Sequence, residues 1–278
     1  MGYGIPALAE ETGIVASADI IESRLAVAEY ILKTAGSMVV DTFHHTAHSM
    51  DYVKEIIKAI ESLAVKNVLQ SFPEDGIFSS GGIQNMESRN GIEWIIDPVD
   101  GVRNFVRGIP EVGLQLAIRS RNELLYSSMY QPFNQEQCTS IRGQGALYHD
   151  YRNGAELSLS VSTRGMSEAL VIFDGSLGSV EGKSSLAVLD KIGTRVSGVR
   201  IFGIAIQDFT MIASGKAEAF ITTVGHPEDV APGILLVREA GGRVTDLFGE
   251  NIDINSKNLL VSNGIVHDEI LELLKGSV

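Results

Sequence analysis

The sequence predicts a mixed fold in two parts: an α+β half over residues 1–155, with two long helices and an antiparallel sheet, and an α/β half over residues 156–278. Three observations predict it. Two amphipathic helical patterns precede any strand, the middle third breaks into short apolar runs between turn-like segments, and beyond Ala155 strand-like and helical patterns alternate. With 278 residues, 44% of them apolar and 21% charged, the chain has the material for a buried core.

The first helix is read from Asp19, which with Glu22 three residues on makes a capping-box-like start; Ile21, Leu25, Ala28, Leu32 and Ala35 follow at helical spacing. A second spans about Val53 to Gln70. Ile56, Ile60, Leu63 and Ala64 form its apolar stripe, with Lys54, Glu55, Lys58 and Glu61 outside it. Between the two, His44, His45 and His48 cluster without a fourth ligand nearby, so the segment reads as a polar loop rather than a zinc site. From Glu93, the runs EWII, GLQLAIRS and ELLYSSMY, separated by RGIPE and SRN, read as antiparallel strands. The second half gives strands at ALVIF, VRIF, AEAFITT, RVTD and LLVSN. Helices are read at Ala205–Ala213, at Asp229–Ala240 and from His267 onward. No internal repeat interrupts this order.

Composition excludes several classes. Lys plus Arg number 22 against 35 Asp plus Glu, a net charge of −13, and no stretch gathers basic residues; nucleic acid and anionic membranes are poor partners for such a surface. A phosphate handled by so acidic a chain must be neutralised locally, by metal ions, helix N-termini or a few placed cations. The single cysteine, Cys138, excludes an internal disulfide and fits a reducing compartment as a small structural thiol. The N-terminus lacks a basic region followed by an apolar run, so no cleaved signal is expected, and no apolar run reaches the ~18 residues of a membrane span. The expected setting is soluble and cytoplasmic.

The densest chemistry lies at Trp94-Ile95-Ile96-Asp97-Pro98-Val99-Asp100-Gly101-Val102-Arg103, an apolar strand running into two acids around Pro and Gly. Two readings stand. As converged carboxylates, Asp97 and Asp100 repel one another unless they bind a divalent cation, with the Gly101 and Val102 amides beside them as a phosphate cradle. As turn formers or caps, they need no cation. A second segment, Gly225-His226-Pro227-Glu228-Asp229-Val230-Ala231-Pro232-Gly233, puts Asp229 at the start of an apolar helix that ends in EAGGRVTD; a capping role alone accounts for Asp229 taken in isolation.

Together, DPVDGVRNF and EDVAPG…EAGGRVTD resemble the Asp-Pro-x-Asp-Gly-Thr-x-Asn-Phe and Trp-Asp-x-Ala-Ala-Gly…Glu-Ala-Gly-Gly motifs of the inositol monophosphatase family, and FPEDG, IRGQGALY and VRIFG extend the likeness over roughly residues 20 to 275. The resemblance implies a layered αβαβα sandwich, a homodimer, and Mg2+-dependent hydrolysis of small phosphate monoesters of inositols, sugars or nucleotides. It implies Asp97, Asp100 and Asp229 as catalytic metal ligands, with the Val99 carbonyl as a further one. Phosphate would rest on Gly101 and Val102, and Thr222 stands where a glutamate contacts inositol in some members. By position alone, Arg103 and Arg107 follow the first motif within reach of an anionic substrate, with a solvated rim the plainer reading for Arg107, and His226, three residues before Asp229, reads equally as a substrate contact or a structural cap.

The departures from the family pattern are as informative. The acid that follows FPxxG in the family, a metal ligand that helps activate water, is missing from Phe72-Pro73-Glu74-Asp75-Gly76-Ile77-Phe78-Ser79-Ser80-Gly81. The motif threonine that positions the same water is Val102, which has no hydrogen-bonding group. An acid of the second helix is Ile57, and the tryptophan before Asp229 is Glu228. Glu74, Asp75 or Glu87 are candidates to replace the missing ligand, and Lys54 to replace lost metal charge, against its plain reading as a solvated lysine. The resulting expectation is a divergent phosphatase acting on a small phosphorylated metabolite. The alternative is an impaired relative that binds a phosphorylated ligand or protein partner without efficient hydrolysis.

Overall fold

Seven α-helices and twelve strands stack in five layers in the computed structural model, which describes residues 7–45, 49–79, 85–175, 182–252 and 256–275. Helices α1 (Ala7–His45) and α2 (Met50–Ser71) cover one face of a seven-stranded sheet. Its strands run in chain order: β1 (Gly76–Ser79), β2 (Ile92–Asp100), β3 (Gly113–Ser120), β4 (Glu123–Gln131), β5 (Glu136–Ile141), β6 (Gly145–Asp150) and β7 (Ala155–Ser158). Between β2 and β3 sits the short helix α3 (Val102–Val106).

The second half supplies β8 (Leu170–Asp174), α4 (Gly182–Gly193), β9 (Gly198–Arg200), α5 (Ala205–Ala213), β10 (Ala219–Thr222), α6 (Pro227–Glu239), β11 (Arg243–Thr245), β12 (Leu259–Ser262) and α7 (His267–Leu274). Its five strands form a mixed sheet in the order β11-β12-β10-β8-β9.

Three apolar clusters hold the layers together. The first joins α1 and α2 to the outer face of the large sheet through Ile31, Leu32, Ile60, Trp94 and Leu116. The second lies between the sheets and is built by α5 and α6: Ile206, Phe209, Ile234 and Leu236 meet Ile95, Ala117 and Met129 on one side and Ile172, Phe220 and Val261 on the other. The third packs α4 and α7 beneath the second sheet. The αβαβα sandwich is therefore the observed architecture, and its middle layer is shared by both halves.

Several elements differ from expectation. Helix α1 is already under way at Asp19, so Asp19 and Glu22 lie inside it rather than at its start. His44 and His45 belong to its last turn, not to a loop, while Thr46, Ala47 and His48 lie outside the described residues. The large sheet is not wholly antiparallel, since β1 pairs with β2 in parallel. It also continues through β7 to Ser158, past residue 155. The strand expected at VRIF stops at Arg200 and leaves Ile201 exposed. Helix α6 begins at Pro227 with His226 at the N-cap, so Asp229 is in the first turn and is not the cap.

Candidate active site

The site is assembled where β2 ends. Ladder pairing with β3 shifts register between Asp97 and Asp100, and this irregularity lets two acids three residues apart both turn inward. Gly101 follows with φ of 86°, a left-handed conformation, and an added Cβ there would lie 2.7 Å from the Glu111 carbonyl oxygen. The turn into α3 therefore depends on glycine at this position.

Asp97 is buried. Its Oδ1 accepts the Val99 amide at 3.1 Å and its Oδ2 accepts Gln115 Nε2 at 3.3 Å. Gln115, directly across the ladder, also donates to the Asp229 carbonyl at 3.3 Å, tying β2 to the first turn of α6. Asp100 reaches across to α5, where Oδ2 accepts the Ile206 amide at 2.8 Å. It thus does for α5 what the N-cap residue Ile204 cannot.

These acids disfavour one another's charge. Burial, with Asp100 and Asp229 alongside, pushes the Asp97 carboxyl well above the usual carboxylate range. Burial likewise pushes Asp100 up to about 6 against the pull of the α5 amides. Asp229 rises to about 8 through burial and the charges of Asp100, Glu228 and Asp174. The three do not close into a ready cage: among the described residues no three His, Cys, Asp or Glu side chains gather into a metal-binding group.

A cavity of about 420 Å3 opens onto this cluster, bordered by Asp100, Asp229, Arg103, Asp174, Thr222 and His226. Arg103 lies close enough to Asp174 to favour its charged form, against the burial that raises its pKa. Thr222 is buried, with Oγ1 accepting the Val224 amide at 3.2 Å. His226 makes no side-chain capping bond and stays exposed at the rim. Val102 faces elsewhere, with its side chain packed on the first apolar cluster.

Neither Asp75 nor Lys54 stands in for the lost groups. Asp75 is enclosed on the α1 side, where it accepts Arg24 Nε and Nη2 at 2.8 Å each, Asn90 Nδ2 at 2.7 Å and Trp94 Nε1 at 2.9 Å. Lys54 is exposed on α2, as are Glu74 and Glu87 in their segments. Ser80 and Gly81, where the family acid is missing, lie outside the described residues.

Two acids at the site escaped the sequence reading. Asp174 ends β8 much as Asp97 lies near the end of β2, and an acid closing an apolar ALVIF run was the available signal. Asp208 is 1% exposed in α5, both its carboxyl oxygens lack a hydrogen-bond partner among the described residues, and Asp174 and Asp100 add to the burial that pushes its pKa well above the usual carboxylate range. Its signal was a charge on the apolar face, one helical turn before Ile212.

Fold and cavity define a layered α/β protein with an acid-lined cavity between its two sheets. The chain belongs to the inositol monophosphatase family, whose model matches residues 14–278. It is similar to the fructose-1,6-bisphosphatase/inositol-1-monophosphatase of Thermotoga maritima, 31% identical over 235 residues that cover 84% of this chain and 87% of that one. The Nus factor SuhB of Salmonella typhimurium is 28% identical over 237 residues, 82% of this chain and 86% of the relative. Among solved structures, the extragenic suppressor protein suhB from Bartonella henselae superposes with a TM-score of 0.82 at 27% identity, covering 91% of this chain and 99% of that one. No helix among the described residues is long and apolar enough to cross a membrane.

Proposed function

We propose that the chain is a divergent phosphomonoesterase that binds a small phosphorylated metabolite, an inositol, sugar or related phosphate, in the 420 Å3 cavity and uses Mg2+ there. One observation carries this reading. Asp100 and Asp229 lie near enough to raise the pKa of Asp97, Asp100 raises that of Asp229, and none of the three forms an ion pair among the described residues. Hard carboxylate oxygens that destabilise one another are a donor set suited to a divalent cation. Asp97, Asp100 and Asp229 would hold it, with the Val99 carbonyl. Bound there, Mg2+ supplies a Lewis acid for the phosphate and a lowered pKa for the attacking water.

The chain's own residues do the rest. Gln115 fixes the orientation of Asp97 relative to α6. Arg103 supplies the cavity's cation for an anionic substrate. The first-turn amides of α3, beginning at Val102, have no intrahelical acceptor and are free to donate to phosphate oxygens. Thr222 and His226 border the space for the remainder of the substrate.

A second reading, binding without efficient hydrolysis, is favoured by one specific observation. The half-buried valine side chain at 102 packs against the first apolar cluster and has no hydrogen-bonding group, and Asp75 is committed to Arg24, so neither takes over water activation. Loss of each water-orienting group costs ~10²-fold or more in rate. Phosphate release from inositol, sugar and nucleotide monophosphates, with Mg2+ and with EDTA, for wild type beside Asp97→Asn, separates the two. Turnover that needs both Mg2+ and Asp97 supports the enzyme; Mg2+-dependent ligand binding without release supports the second reading. The family setting proposed for it is a cytoplasmic homodimer, checked by light scattering on the purified protein.

A further inference from the structure

A second cavity of about 420 Å3 lies along the C-terminal half of α6, outside the acid-lined site. Its walls are α6, the β3–β4 turn, the β5–β6 turn and Ile252. Two guanidinium groups border it, Arg142 and Arg238, and their acids are unequally disposed. Arg142 pairs with Glu123 at 3.1 Å on the exposed rim. Glu239, next in the chain to Arg238, spends both carboxylate oxygens on the Gly143 and Gly145 amides, at 2.9 Å each. Arg238 itself forms no side-chain hydrogen bond or ion pair among the described residues.

Arg238 is exposed at the mouth of the cavity, where desolvation along the wall and the neighbouring charge of Arg142 hold its pKa below the usual value. Two like charges at one cavity, with the adjacent carboxylate locked onto backbone amides, make a place where an external anion lowers the energy. Leu124, Ile234, Leu235 and Ile252 give the wall its apolar part, and Asn122 and the already engaged Glu123 and Glu239 complete it.

We propose that this cavity binds a small organic anion, a carboxylate, sulfonate or phosphate carried on an apolar body, with the charge on Arg238 and Arg142 and the body against Ile234, Leu235 and Ile252. The site is independent of the acid cluster and takes no part in the proposed hydrolysis. Fluorescence titration of the full chain with anilinonaphthalene sulfonate tests it. Wild type is expected to bind one equivalent saturably. Arg238→Gln should weaken that binding at least tenfold with an unchanged thermal midpoint, and Arg142→Gln should weaken it less, its charge being shared with Glu123. Arg103→Gln, at the other cavity, should leave it unchanged. Neutral N-phenylnaphthylamine, which keeps the rings and lacks the sulfonate, should bind wild type at least tenfold more weakly, a comparison that needs no variant. The proposal is overturned if wild type shows no saturable binding, if Arg238→Gln binds like wild type, if the neutral probe binds as well as the sulfonate, or if Arg103→Gln is the variant that loses the probe.

Discussion

Asp97 is held by one backbone amide and one glutamine, in a buried place where two other acids raise its pKa. A group whose folded pKa is raised stabilises the native state below its folded value, so the metal-free protein loses stability as pH climbs from the ordinary carboxylate range toward the value near 8 of Asp229. Mg2+ competes with those protons, and its stabilising effect should therefore be larger at pH 8 than at pH 5 in thermal melts. Asp97→Asn removes one of the repelling charges: it should stabilise the metal-free protein by about 1–2 kcal/mol while abolishing the Mg2+-induced shift. A variant less stable than wild type without metal would show that the carboxylate is not under repulsion. Asp75 presents the opposite case. Burial alone would raise its pKa, but hydrogen bonds from Arg24, Asn90 and Trp94 outweigh burial and hold it below the usual range, so its contribution is present at neutral pH and lost as pH falls through the depressed value. Asp75→Ala strands the buried Arg24 charge and should cost about 3–5 kcal/mol in urea unfolding.

Helices α5 and α6 cross where Gly233 faces the Phe209 ring; a Cβ at 233 would come within 2.1 Å of it. Gly233→Ala should cost about 1–3 kcal/mol despite alanine's better helix propensity, a sign that equilibrium unfolding can check. At the start of α7, His267 is fully buried, with Nδ1 2.8 Å from Ser262 Oγ and Nε2 2.9 Å from Thr245 Oγ1, joining β11, β12 and the helix. Burial pushes its pKa down to about 4. The unfolded chain takes up the proton first, so this stabilisation is intact above about pH 6.5 and falls away between there and pH 4, by about 3 kcal/mol over the interval. His267→Gln should flatten that part of the stability–pH curve. Elements with strong periodicity were the legible ones: GLQLAIRS is β3 and Ala205–Ala213 is α5 at the expected bounds. Strands β5 and β7 were not read as strands, because EQCTSI alternates weakly and AELS is largely exposed, so burial in neither leaves a clear period of two. Their place comes from hairpin pairing to β4 and β6, which is long-range information.

Across the whole molecule, α6 is the element that makes two halves into one body, since its residues pack on the large sheet and on β11 and β12 alike. Unfolding followed by far-UV circular dichroism and by tryptophan emission should therefore give coincident transitions; separated midpoints would show that the halves fold independently. The two acidic motifs are visible in the chain as patterns, and the layered arrangement is implied by the family resemblance they carry rather than by periodicity. What local sequence did not carry is the approach of Asp174 and Asp208 to Asp100, because they come from β8 and α5 and meet only through packing. Trp94, the chain's single tryptophan, is 0% exposed and donates its indole N–H to Asp75. Its emission is consequently a private optical channel for the junction of α1 with the large sheet. A native spectrum shifted to the blue, moving to the red when acid protonates Asp75 or when Arg24 is removed, would let that junction be watched in a cuvette while every tyrosine elsewhere stays silent under excitation at the red edge.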